Sequence, residues 1–166
     1  MNDIIDIVKS LKGCEFKVLY RALDMVGIDF GEEKAFTDIG RIVAVHSIHI
    51  QCPFRILADD KIMTGYNDVF TPKKHISGDD FDIGQLDVSL FDDQTKKINE
   101  DFAIKERVKD ISINEKGDAV ITLDKLIIEI FVANSDEEEA WRYLNRETDV
   151  HVVFYGNTIE ILPPLG

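Results

Sequence analysis

The segment Ile42–Ile56 places an imidazole, an amide and a guanidinium, His49, Gln51 and Arg55, at positions of one parity. Side chains alternate across an extended strand, so these three share one face with Ser47 and Pro53, spaced roughly 7 Å apart. His49 could then act as acid or base and Arg55 as an anion clamp. The even positions, from Ile42 through His46 and Cys52 to Ile56, form a nearly apolar face expected to meet the core. A polar row is also the ordinary state of a solvated sheet face, so the binding surface is weighed against that plainer account.

Three other groups invite a chemical reading. His46, His49 and Cys52 have spacing that suggests a metal site. On a strand, however, His46 and Cys52 lie roughly 20 Å apart, and His49 points to the opposite face. No metal is expected there, and His46 reads as a satisfied core histidine. The acidic runs Asp79-Asp80-Phe81-Asp82, Asp92-Asp93 and Asp136–Glu139 lack the alternating spacing and following glycine of a calcium loop. Two of them fall in expected first helical turns, where carboxylates complement the helix dipole. Glu15 and Lys17 echo the end of a metal-dependent nuclease site, but no partner aspartate stands on a preceding strand. The chain has neither a phosphate-binding glycine loop nor a serine elbow, and no catalytic set, metal site or cofactor is expected.

Trp141 and Arg142 follow Glu137–Glu139. At helical spacing Trp141 belongs with Leu144 on a buried side, and Arg142 with Glu138 on an exposed one. The pair also has the composition of an interface, which keeps both residues as binding candidates.

The elements expected to position these groups read as follows. Ile4, Val8 and Leu11 mark an N-terminal helix capped by Asp3 and stopped at Gly13. Residues 15–30 form a hairpin reversing near Asp24, residues 31–40 a loop, and Ile42–Leu57 one long strand. A return strand at Lys61–Gly65 follows an Asp59-Asp60 turn, and residues 66–87 read as a long polar loop. Ser89 with Asp92 makes a capping box for a helix through Phe91, Ile98 and Phe102. A meander over 108–132 turns at Lys116–Asp118. Ser135 with Glu138 reads as a second box, opening a helix through Leu144. A hairpin of Val150–Tyr155 and Thr158–Leu162 closes the chain. Short turns between strands imply antiparallel pairing. The expected fold is therefore a single α+β domain over 1–166, with one meandering sheet of about seven strands and about three helices.

The strand His49–Ile56, the Gly117-Asp118 turn before Ile128–Phe131, the Ser135–Arg142 segment and the His151 strand resemble a family of small uncharacterised bacterial proteins. That family carries a His-Ile-Gln-Cys-Pro-aromatic-Arg strand and a Glu-x-Trp-Arg helix; Phe54 stands where it more often has tryptophan. The resemblance covers most of the chain and implies a bacterial cytosolic protein without an assigned activity.

The 166 residues carry 32 Asp and Glu against 19 Lys and Arg, a net charge of −13. A surface so acidic repels nucleic acid and anionic membrane and draws basic partners from a distance. No apolar stretch approaches the roughly 20 residues of a membrane span. Cys14 and Cys52 read as free thiols of a reducing, cytoplasmic compartment. The expected function is a protein-binding module, of immunity or antitoxin-like type, that neutralises a basic partner. Its contacts would come from Asp79, Asp80, Asp82 and the 136–139 run, with His49, Gln51, Arg55, Trp141 and Arg142 as further binding residues. The alternatives are a small-ligand binder or enzyme on the polar face of 42–56, and a homodimer formed through an exposed sheet edge.

Overall fold

In the computed structural model, which describes residues 1–162, the chain begins with helix α1 (Asn2–Val8) and strands β1 (Phe16–Ala22), β2 (Met25–Phe36), β3 (Arg41–Ile50), β4 (Phe54–Ala58) and β5 (Lys61–Gly65). Helices α2 (Tyr66–Val69) and α3 (Leu90–Phe102) follow, then β6 (Asp110–Ile113), β7 (Ala119–Thr122), β8 (Leu126–Ile130), β9 (Glu139–Asn145), β10 (Val150–Tyr155) and β11 (Ile159–Leu162). The class is α+β, as composition and turn spacing implied, but the strands do not make one sheet of seven. They form two antiparallel sheets, ordered β1-β2-β3-β9-β10-β11 and β5-β4-β8-β7-β6.

The physical reason lies at Gln51-Cys52-Pro53. Pro53 has no N–H to give a ladder, and the expected 42–57 strand ends before it. β3 stays in the six-stranded sheet while β4 starts the five-stranded one. The inward parity survives the crossing, with Ile48, Ile50, Cys52, Phe54 and Ile56 all buried. Their partners come from both sheets, among them Phe30, Ile121, Ile128, Trp141 and Phe154, in one continuous apolar cluster.

A second correction concerns 135–144, where strand β9 replaces the expected helix. A bulge at Ala140 of β9, between the Trp141–Phe154 and Glu139–Tyr155 pairs, leaves Ala140 and Trp141 both buried, which imitates helical spacing. Trp141 stacks on Phe154 with ring centroids 3.8 Å apart and donates its indole N–H to the Gly117 carbonyl at 2.8 Å. Residues 31–36, expected as loop, continue β2 past a bulge at Gly31, whose φ of +86° suits glycine. The helix over 91–102 and its Ser89–Asp92 capping box form as expected.

α3 lies against β1 and β5, the edge strands of the two sheets. Asn99 on α3 satisfies the open edge of β1, accepting from the Leu19 N–H at 2.8 Å and donating to its carbonyl at 2.9 Å. Arg21 on β1 grips Asp92 of α3 through Nε (2.6 Å) and Nη2 (2.9 Å). The same guanidinium donates to the carbonyls of Ile83 and Gln85, so the end of the 66–87 segment is tied to β1. No helix among the described residues is long and apolar enough to cross a membrane.

Candidate functional site

The break that divides the sheets also makes a corner. Where β3 hands over to β4, an open cleft of about 270 Å³ is lined by residues that include Gln51, Tyr66, Asn134, Asp136, Glu138 and Glu139. None of its lining residues is a lysine or arginine. The acidic rim is built by a loop with its own internal bonds. Asp136 Oδ1 accepts from the Asn134 side-chain amide at 2.5 Å and from the Glu138 N–H at 3.2 Å. This loop rests on the β10–β11 turn, where the Asn157 amide donates to the Ser135 carbonyl at 3.0 Å. A Cβ on Gly156 would stand 2.3 Å from the Asn134 carbonyl oxygen and 2.8 Å from that of Asp136, so only glycine admits this approach.

The carboxylates at the corner are not equivalent. Glu139 is taken up by Arg142, whose Nε donates to it at 2.6 Å, and that contact raises the guanidinium pKa further. Glu138 and Asp136 are exposed and form no ion pair among the described residues. Tyr66 adds an aromatic face, tilted against Phe70 at 5.2 Å between centroids. An acidic rim, an amide and a ring in an open notch are groups that receive a lysine or arginine head.

The other expected site residues are scattered. His49 and Arg142 are register partners on β3 and β9 and share the outer face of the six-stranded sheet. That face is less solvated than expected: Ser47 is fully buried and donates to Asp29 at 2.6 Å. Burial, and then the positive charges of Arg146 and Arg142, push the His49 imidazole below its ordinary pKa. Arg142 Nη1 donates to His151 Nδ1 at 3.1 Å, a contact that requires the neutral ring; burial and then Arg142 lower the pKa of His151 accordingly. Arg55 is separated from His49 by the corner. It sits in the other sheet, paired with Glu129 and placed over the Phe131 ring at 5.5 Å, so it cannot clamp a ligand held by His49. Trp141 is fully buried and offers no surface. His46 is bonded through Nδ1 to the Tyr143 hydroxyl at 2.8 Å, a satisfied histidine on the inner side.

Asp79, Asp80 and Asp82 are exposed in the 66–87 segment, the first two in a single 3-10 turn. Asp82 accepts from the Gly84 N–H at 2.8 Å. None of the three lines the corner cleft. Glu15 pairs with Lys17 at 2.5 Å and with Arg107 at 3.5 Å.

Sequence reasoning missed Tyr20, Asp29 and Arg146, which gather beside Ser47 and His49. The available signal was Gly27, a glycine inside a strand. A Cβ there would lie 2.1 Å from the Tyr20 ring, which crosses over β2 to reach Asp29 and His49, each at 3.4 Å. Compared with protein-family models, with characterised proteins and with solved structures, the chain matches none.

Proposed function

We propose that this chain is a protein-binding module that captures a basic partner, receiving a lysine or arginine of that partner in the corner cleft between the two sheets. The observation that carries this reading is the cleft itself. It combines exposed Glu138 and Asp136, the Gln51 amide and the Tyr66 ring, with no cation of its own to neutralise them. The net charge of −13 acts at longer range and accelerates the encounter. The acidic 79–82 segment stands outside the cleft and contributes to that field. An inhibitor of a basic toxin or enzyme, of the immunity or antitoxin type, is the role these features suit best.

The test is retention from a lysate of the cells that make the protein, using wild-type and Glu138→Lys baits in parallel. The expected result is a basic protein held by the wild-type bait at low salt and released near 1 M salt, where the screening length falls to about 3 Å. The Glu138→Lys bait should lose it. Equal retention by both baits, or retention indifferent to salt, would overturn the reading.

A further inference from the structure

The opposite end of β3 carries a second cleft, of about 310 Å³, whose chemistry is reversed. Lys17, Arg41 and Arg146 line it together with Tyr20, Asp29 and Glu33. Three cations and two carboxylates line it, on a chain whose overall balance is −13; Lys17 is already paired with Glu15 at 2.5 Å, which leaves Arg41 and Arg146. One of those carboxylates is already engaged. Asp29, with a side chain only 11% exposed, accepts from Ser47 at 2.6 Å and stands 3.7 Å from Arg146.

Arg146 is the decisive group. Its side chain is 11% exposed, yet of its five N–H donors it uses one, to the Ala44 carbonyl at 2.5 Å. Among the described residues, the enclosed side-chain polar atom without a partner is Thr95 Oγ1. The unused nitrogens of Arg146 are therefore not enclosed, and Arg146 is one of the residues that line the cleft. Tyr20 is in a similar state: its hydroxyl lies 3.4 Å from both Asp29 and His49, well beyond the 2.7–2.8 Å of a strong O–H···O bond. Arg41, an exposed residue of the lining, forms no ion pair among the described residues. Two under-used donors on a rigid sheet face, with a free guanidinium beside them, make a site waiting for acceptors.

We propose that this cleft binds a small oxyanion, a carboxylate or phosphate group, through the fork of Arg146, with Tyr20 as a second donor and Arg41 closing over it. A guanidinium fork matches both anions in geometry. The volume sits at the low end for ligand sites, which limits the occupant to a small metabolite or a single anionic head group. This cleft and the corner cleft share no lining residue, so this inference does not depend on the basic-partner reading.

The experiment is an amide NMR titration of the whole protein with sodium phosphate and with sodium acetate, against sodium chloride at matched ionic strength. Saturable shifts are expected at Gly27, Asp29, Ala44 and Ser47 with at least one of the two oxyanions and not with chloride. Arg41→Ala removes one exposed charge and should weaken binding about five-fold. Arg146→Lys keeps the charge but loses the fork, and should weaken it on the order of ten-fold. Phosphate saturating at lower concentration identifies a phosphate ligand, and acetate doing so a carboxylate. Shifts that fail to saturate, that chloride reproduces, or that Arg41→Ala leaves unchanged would overturn the proposal. Because Arg41 is exposed and unpaired, that last arm holds even if the Arg146 variant fails to fold.

Discussion

Replacing Arg21 with methionine should be among the most damaging single changes to this fold. The Arg21 side chain is 3% exposed and that of Asp92 is 11% exposed. Methionine fills much of the space but leaves the Asp92 carboxylate without its cation. It also strips the carbonyls of Leu23, Ile83 and Gln85 of donors at 3.0, 2.7 and 2.6 Å. Removing one partner of a buried pair costs about 3–5 kcal/mol, because the other charge stays buried. For a chain of this length each kcal/mol lowers Tm by about 2–4 °C, so the midpoint should fall by about 6–20 °C. Thermal unfolding followed by circular dichroism reads this directly. Adding Asp92→Asn keeps an acceptor in the capping box and removes the stranded charge, so the double variant should recover much of the loss.

The pH dependence gives a second check on the same pair. Burial alone would raise the Asp92 carboxyl, but Arg21 and the amides of Ser89 and Val88 outweigh it and hold it well below the usual carboxylate range. A depressed folded-state pKa stabilises in full above the unfolded value near pH 4 and is lost as the pH falls through the folded one. The gap between wild type and Arg21→Met should therefore be widest near neutrality and narrow below about pH 4. Hydrogen exchange should rise at residues 83–87 in the variant, since Arg21 anchors that stretch. A Tm change under about 3 °C with a gap independent of pH would refute the assignment of Arg21 as the clasp between β1 and α3.

Three further outcomes follow from the same structure. Gly156→Ala should push the 134–138 loop off the β10–β11 turn, costing about 1–3 kcal/mol by overpacking and weakening partner retention although no acidic residue is changed; urea unfolding and the bait assay measure the two effects. Cys52 is buried and its thiol is pushed up to about 12, first by burial and then by Asp118, so a thiol reagent at neutral pH should label it only when the chain unfolds. His49 and His151 have lowered folded-state pKa values, so both stay neutral near pH 7, and protonation of the unfolded chain draws stability away as the pH falls below about 6.5. Imidazole NMR titrations that place either ring above its ordinary value would contradict this.

Most helices, turns and strand pairs were legible because their signals are local. Ser89 with Asp92 opened α3, and Gly156-Asn157 and Lys116–Asp118 turned the chain where hairpins required it. The division into two sheets was harder to see. Inward parity runs unbroken from Ile48 to Ile56, and the sole mark of the crossing is Pro53, which alternation absorbed as one more outward residue. β9 failed for a different reason. The bulge that buries both Ala140 and Trp141 depends on a partner in β10, and a local reading finds a helix in the same letters. At the corner, Gln51 and the 136–139 acids were both recognised, but nothing local shows that they share one cleft. The Tyr20–Asp29–Arg146 group is likewise assembled by register among four strands, with Gly27 as its one sequence trace.

The most direct measurement of the central claim is an amide NMR titration with N-acetyl-arginine amide, a single guanidinium free of any partner's remaining surface. Saturable shifts are expected, confined to Gln51, Tyr66, Asn134, Asp136 and Glu138, lost in Glu138→Gln and suppressed at high salt. Shifts spread evenly over every acidic loop, or a corner cleft unmoved by the ligand, would contradict it.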